Sequence, residues 1–543
     1  MLNFISFNSD FEGFLFAVIY LINFTVIFNL IFREKRNINT TLTWILILFL
    51  VPVVGFIMFI CFGRDFSKKN IFKLKNMDDK VLKRNILKTQ FMLQNETGLD
   101  NSALDHMDMI STLANSNNAH YTRNNTVDIY PKSEEFFTNL KDELKKAQKY
   151  INFQFYIFKD DMIGREIIDI LIAKAKEGVE VRFLYDAVGG RRFHKESIEK
   201  LKASGVKMAS FFPSFLKYFN INLNYRNHRK IVVIDNRVGF VGGYNIGDEY
   251  LGRDTKFGEW RDTHVKLTGD AVMDLNMRFF LDWRYSSNEN LDFSTLFDYE
   301  YPDLEDVDGL LDLELDGYKP DHYNEISKKF EYDSCKNSNS GTCANCSSES
   351  CTSYKEGVGV QIVSSGPDII DLDEVKYGYI KIIQKARHYV YIQTPYLILD
   401  SSLVDTLKIA CLSGVDVRIM LPQKPDHPFV YWATISYAGE LLKYGARVYT
   451  YNGESGNAFL HAKTMVADDS IASIGTANMD IRSFELNFEV NAFIYSDKKA
   501  VELREIFQRD LEFCDEITSE VYNARSSHVK FKESISRLMS SVL

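Results

Sequence analysis

An excess of basic residues is missing from this 543-residue chain. Lys and Arg number 64 against 74 Asp and Glu, a formal net charge of −10. Nucleic-acid binders usually carry a basic footprint, so the balance argues against that class, a local basic patch aside. Cysteine is also scarce. Four of the seven cluster at Cys335, Cys343, Cys346 and Cys351, with one CxxC, no second one, and His322 as the nearest histidine. That spacing specifies a zinc site only weakly; disulfides, or incidental thiols in a flexible insertion, fit it as well. Cys61, Cys411 and Cys514 stand in apolar or helical contexts and read as core or membrane residues. The N-terminus lacks a basic n-region and a small-residue cleavage site, and carries Asp10 and Glu12 instead. A cleaved signal peptide is thereby disfavoured.

Charge is absent from two long N-terminal runs, "GFLFAVIYLINFTVIFNLIF" (13–32) and "TLTWILILFLVPVVGFIMFICFG" (41–63). Each is long enough to cross a hydrocarbon core of about 30 Å at about 1.5 Å per residue. The expectation is a two-helix transmembrane hairpin over 1–63, with Pro52 kinking the second helix and Trp44 near an interface. Arg33, Lys35 and Arg36 lie in the connecting loop; Arg64, Lys68, Lys69, Lys73, Lys75 and Lys80 follow the second run. The larger basic count puts the C-terminal part in the cytoplasm, at the cell membrane. Lys83, Arg84 and Lys88 extend a collar suited to anionic lipid, or to a solvated linker.

Beyond a basic juxtamembrane linker (64–127), strand and helix patterns alternate, and they do so twice. "KYINFQFYIF" (149–158), "GREIIDILIAKAKEG" (164–178) and "VEVRFLYDA" (179–187) read strand, helix, strand. "HYVYIQTPYLI" (388–398), "SLVDTLKIACLSG" (402–414) and "VDVRIMLP" (415–422) repeat that order. Gln154 corresponds to Gln393 and Gly178 to Gly414, displaced by 239 and 236 residues. This predicts two duplicated α/β sandwich domains, 128–287 and 357–525, each with a mixed central sheet. An acidic, Cys-bearing insertion (288–356) separates them, and a short amphipathic helix (526–543) follows.

The repeat carries a motif. In "NHRKIVVIDNRVGFVGGYN" (227–245) a His is followed by Lys, Asp and Asn two, seven and seventeen places on; "LHAKTMVADDSIASIGTAN" (460–478) has the same set 233 residues later. Each apolar run reads as one arm of a β-hairpin, and residues two apart share a strand face. His228 and Lys230 therefore project together, as do His461 and Lys463. Two imidazoles and two ammoniums around one point suit a phosphodiester. The cations balance the phosphoryl oxygens, one His attacks phosphorus, and the other moves the proton of the leaving alcohol. This chemistry needs no metal or other cofactor. Asp235 and Asp468 complete the candidate catalytic set, although strand parity puts them on the opposite face, where they more naturally fix the hairpin. Asn245 and Asn478 are candidate phosphate donors, with Gly243 and Thr476 as small residues permitting close approach. Asp262 in "WRDTH" and Glu489 in "NFEVN" are candidates to orient the imidazoles, and His264 stands beside Asp262.

The paired HxKxxxxD motifs resemble those of the phospholipase D superfamily. "NYRNHRKIVVID", "FVGGYNIGDEY", "WRDTHVKLTG", "FLHAKTMVAD" and "RSFELNFEVN" resemble bacterial cardiolipin synthases, as do the N-terminal runs and the "SISRLMSSVL" tail. The Cys-bearing insertion departs from that pattern. The resemblance implies that two phosphatidylglycerols give cardiolipin and glycerol. His228 would take the phosphatidyl group, His461 would act as acid and then base, and Lys230 and Lys463 would bind phosphate. The partners implied are phosphatidylglycerol and anionic membrane lipid, with no nucleic acid. Hydrolysis by water, another alcohol acceptor, a nucleic-acid phosphodiester substrate and a non-catalytic scaffold are the alternatives.

Overall fold

Each His-Lys motif runs into a β-hairpin. In a computed structural model, which describes residues 10–32, 38–60, 101–117, 119–213, 225–287, 289, 357–367 and 373–540, Ile231–Ile234 pairs with Val238–Gly242, and Thr464–Ala467 with Ile471–Gly475. The turns use Asp235 and Asn236, and Asp468 and Asp469, all with φ between 48° and 53°. Asp and Asn tolerate this left-handed region better than most residues. The Asp235 carboxylate accepts the backbone N–H groups of Gln148, Lys149 and Tyr150 at 2.7–2.9 Å. Asp468 does the same for Arg387, His388 and Tyr389 at 2.6–3.0 Å. The motif aspartates thus pin each hairpin to the start of the strand beside it. Asp235 and Asp468, grouped above with the candidate catalytic residues, are thus occupied by backbone N–H groups rather than by the imidazoles.

The first half contributes β1 (Thr122–Tyr130), β2 (Tyr150–Phe155), β3 (Glu180–Asp186), β4 (Lys207–Phe211), β5 (Ile231–Ile234), β6 (Val238–Gly242), β7 (Glu259–Arg261) and β8 (His264–Gly269). The second contributes β9 (Val358–Ser365), β10 (Tyr389–Gln393), β11 (Leu397–Ile398), β12 (Asp416–Pro422), β13 (Arg447–Tyr451), β14 (Ala458–Leu460), β15 (Thr464–Ala467), β16 (Ile471–Gly475), β17 (Met479–Asp480), β18 (Glu489–Tyr495) and β19 (Cys514–Ile517). Strand order in the first half is β1-β8-β6-β5-β2-β3-β4, and in the second β9-β18-β16-β15-β10-β12-β13-β19. Both are mixed: β2 and β10 each have one parallel and one antiparallel neighbour. The halves do not keep separate sheets. Antiparallel pairing of β1 with β9 joins them into one sheet of 15 strands. A shared core of Val127, Val265, Val360, Ile474 and Phe488 lies beneath that seam. Joining the sheets removes two exposed strand edges.

Local signals agree with this plan. Asp161 caps the helix Met162–Lys176 by accepting from the Gly164 N–H at 3.2 Å, and that helix buries Ile163, Ile167, Ile168 and Leu171. Part of the segment read as a linker is folded. Residues Asn101–Asp105 and Met107–Asn117 are helical and pack on the second half, where Gln361 donates to the Ile110 carbonyl at 3.1 Å. The Cys335–Cys351 cluster and the basic collar lie outside the described residues.

At the N-terminus, Asp10–Phe32 is one helix, and the second apolar run is divided into Ile38–Leu50 and Pro52–Met58. Pro52 has no N–H for the Leu48 carbonyl four residues back. Asn23 supplies a donor, its Nδ2 lying 3.2 Å from Leu48 O and 3.0 Å from Pro52 O. Trp44 is buried against Leu30, Leu48 and Phe59. Among the described residues no helix is long and apolar enough to cross a membrane. The break at Val51 shortens the second run.

Candidate active site

The backbone that leads into each histidine pairs with the other half. Asn227 bridges in parallel to Phe488, and His228 N donates to Phe488 O at 2.9 Å. Likewise β14 runs parallel to β7, with Leu460 opposite Arg261, and His461 N donates to Arg261 O at 2.7 Å. The residue after Phe488 is Glu489 and the residue after Arg261 is Asp262. Each parallel register therefore delivers a carboxylate to the opposite half's imidazole. Asp262 Oδ2 lies 2.6 Å from His461 Nδ1, and Glu489 Oε1 lies 3.2 Å from His228 Nδ1. Both carboxylates are fully buried.

The lysines fold back on their own motifs. Lys230 Nζ donates to His228 O at 2.6 Å, and Lys463 Nζ donates to His461 O. Lys463 Nζ is also 2.8 Å from His461 Nδ1. That nitrogen uses its hydrogen on Asp262, so the ammonium contact is repulsive. Burial first, and Lys463 second, push His461 down to about 4. Burial lowers Lys230 to about 8 and Lys463 to about 7. Burial alone would raise the carboxylates. Lys463 and His461 nevertheless hold Asp262 below the usual range, and His228 and Lys230 do so for Glu489. Each charge is felt across the seam: Lys230 acts on His461 and Lys463, and Glu489 on both lysines. The two motifs form one electrostatic unit.

Comparison with known proteins shows the family. A family model described as "Cardiolipin synthase, PLD-like domain" matches residues 140–257 and 379–511, and "Phospholipase_D-nuclease N-terminal" matches 21–64. The chain is 42% identical to the major cardiolipin synthase ClsA of Bacillus subtilis, over 97% of this chain and 99% of that one. It is 44% identical to a cardiolipin synthase of Clostridium perfringens, over 94% and 95%. The chain belongs to the cardiolipin synthase family. The Haemophilus influenzae phosphatidylserine synthase shares the fold, with a TM-score of 0.55 and 16% identity over 80% of this chain and all of that one.

In this cardiolipin synthase family member the remaining candidates divide. Gly243, read with Thr476 as room for a phosphate, makes room for the Asp262 carboxylate instead. A Cβ on Gly243 would meet Asp262 Oδ1 at 1.9 Å. Thr476 Oγ1 accepts the Val490 N–H at 2.9 Å, beside Glu489. Gly243→Ala is expected to displace Asp262, lowering turnover about 100-fold or more and costing about 1–3 kcal/mol of stability; kinetics and thermal unfolding check it. Asn245 is committed to structure, accepting the Ile157 N–H at 3.0 Å and donating to Tyr250 at 3.1 Å. Asn478 is buried, and its Oδ1 has no hydrogen-bond partner among the described residues. His264 is buried and stacked 4.1 Å from the Phe136 ring, and burial takes it down to about 3.

Several supporting residues escaped the sequence reading. Arg229 is fully buried between the halves, donating to Asp282 at 2.5 Å and to the Glu489 and Ser365 carbonyls at 3.0 Å. Arg261 pairs with Asp510 at 2.8 Å. The repeated Gln154 and Gln393, recognised only as a register mark, donate to these same aspartates, at 2.7 Å to Asp282 and 2.6 Å to Asp510. Tyr156, whose ring centroid lies 4.1 Å from that of His228, has no counterpart at the matching position of the second half, so the repeat does not flag it.

Proposed function

We propose that this phosphatidyltransferase of the cardiolipin synthase family joins two phosphatidylglycerols into cardiolipin and releases glycerol. The observation that carries the reading is the crossed pair of imidazoles, each oriented by a buried carboxylate from the other half and flanked by a buried lysine. With Nδ1 facing Glu489 Oε1 at 3.2 Å and Asn487 Nδ2 at 3.4 Å, Nε2 of His228 is the nitrogen left to attack phosphorus. The P–O bond to the glycerol headgroup breaks as the P–N bond forms, and the departing oxygen takes a proton from His461. In the second step the terminal hydroxyl of another phosphatidylglycerol gives its proton to His461 and attacks phosphorus. The P–N bond breaks and cardiolipin leaves. Lys230 and Lys463 balance the phosphoryl oxygens throughout.

A phosphodiester between the lysines offsets their part of the depression of His461, burial being the larger part, and so favours the protonated imidazole when substrate is bound. The lysine charges also predict the pH profile. A lysine is cationic below its pKa, so anion capture by the free enzyme weakens as pH rises through about 7 to 8. The alkaline fall in kcat/KM is expected there, and that in kcat at higher pH, because bound phosphate raises both lysines. Stopped assays across pH 5 to 10 check this.

The N-terminal helices are assigned here as a hairpin in the cell membrane, with the catalytic halves on the cytoplasmic side next to phosphatidylglycerol and other anionic lipid. Their outward residues, among them Leu21, Phe24, Phe28, Leu46 and Phe49, are apolar and exposed, which supports lipid around them. A site close to the bilayer also favours a lipid hydroxyl over water. The test is product analysis with purified full-length protein in phosphatidylglycerol mixed micelles containing EDTA. Cardiolipin with one glycerol per turnover is expected. Phosphatidic acid as the main product would mean that water is the acceptor and would overturn the proposal.

A further inference from the structure

The C-terminal helix Ser527–Leu538 lies along the helix Pro428–Leu442 and runs in the same direction. Lys532 sits 5.4 Å from the Trp432 ring, Arg537 pairs with Glu440, and Tyr437 hydroxyl meets Ser540 Oγ at 3.3 Å. Its inward side is thereby accounted for. Phe531, Ile535 and Leu538 recur at spacings of four and three, one stripe of a helix, and point away from the protein. Phe531 and Leu538 are 63% and 72% exposed. Phe429, at the start of the partner helix, is exposed as well. Leaving large apolar side chains in water at one stripe is unfavourable unless something covers them.

The charges identify the cover. Within this helix the exposed charged residues are Lys530 and Lys532. Its one acid, Glu533, is buried and held by Arg525 at 2.7 Å. A stripe of Phe, Ile and Leu rimmed by lysine, with the acid turned inward, is complementary to an anionic bilayer surface. Twelve residues are too few to span a bilayer but enough to lie in its interface. Pro428–Leu442 begins two residues after Asp426, which accepts from the Tyr396 hydroxyl.

We propose that the outer stripe of Ser527–Leu538, with Phe429, docks on anionic bilayer and sets the orientation of the catalytic halves over the lipid surface. The inference rests on the lipid substrate proposed above, and its first test involves no turnover. Full-length protein with Phe531→Cys, labelled with an environment-sensitive fluorophore, is reconstituted into bilayers of phosphatidylcholine with or without phosphatidylglycerol; labelled wild type gives the background from native thiols. Blue-shifted emission quenched by spin-labelled acyl chains, stronger with phosphatidylglycerol, is the expected result. An unchanged spectrum in both bilayers overturns the proposal, as does shielding in lipid-free detergent that grows with protein concentration, the mark of a second copy on this face. The second test is Phe531→Asp with Leu538→Asp. Activity on phosphatidylglycerol bilayers is expected to fall about tenfold while activity in detergent micelles is kept. Equal activity in both media overturns docking. Absence of activity in micelles from the wild type itself bears on the proposed reaction, while the fluorescence result stands.

Discussion

His228→Ala is expected to abolish cardiolipin formation, by about 10⁶-fold in turnover, on the scale seen when the nucleophile of a covalent catalyst is removed. The imidazole makes the bond that splits the exchange into two steps, and Lys230, Lys463 and His461 have nothing to replace it with. His461→Ala should cost nearly as much with the natural lipid, whose alkoxide leaves poorly without a proton. The two losses should not add: the double variant is expected to be no slower than either single one, because both act on one covalent cycle. Rapid-quench intact mass distinguishes the roles. The wild type should carry a phosphatidyl adduct on His228. His461→Ala should accumulate that adduct from an ester with an acidic leaving group, which departs unaided. An adduct on His461 instead would reverse the two roles, and turnover by His228→Ala close to wild type would remove the covalent mechanism.

Asp262→Asn is expected to lower turnover about 10³–10⁴-fold, on the scale of amide replacement of a carboxylate that orients a catalytic imidazole. Its interest lies in which histidine it disables. Asp262 belongs to the first half, yet its carboxylate is 2.6 Å from His461 of the second. Double-variant cycles should therefore couple Asp262 with His461, and Glu489 with His228, by more than either crossed combination. Glu489→Gln is expected to be milder, since its contact with His228 is longer, at 3.2 Å. Coupling of Asp262 chiefly with His228 would mean that each half orients its own imidazole, and the crossed arrangement would fall. Thermal unfolding is a useful control, because an Asn at a fully buried position that receives the Thr263 N–H at 2.7 Å keeps an acceptor there.

Much of the candidate site was legible because its signals are short-range. The HxKxxxxD spacing, the apolar run after each lysine and the Asp-Asn and Asp-Asp turns are decided within about 20 residues, where strand parity and turn chemistry act. Their repetition after 233 residues marked them as one constellation. The roles of Gly243 and Thr476 were misread for the complementary reason. Small residues signal a close approach but not what approaches: at Gly243 it is the Asp262 carboxylate, just after β7, and Thr476 is engaged by the Val490 N–H of β18.

The sequence by itself determined two histidines with their lysines, the carboxylates available to orient them, the duplicated strand plan and two uncharged N-terminal runs. Only the tertiary structure decided that the halves share one sheet and that each carboxylate serves the other half's histidine. The physical reason is register. Asp262 and His461 are 199 residues apart in the chain, and they meet because Leu460 pairs in parallel with Arg261. No local pattern carries that register; the β1–β9 seam and the core packed beneath it impose it on the folded chain.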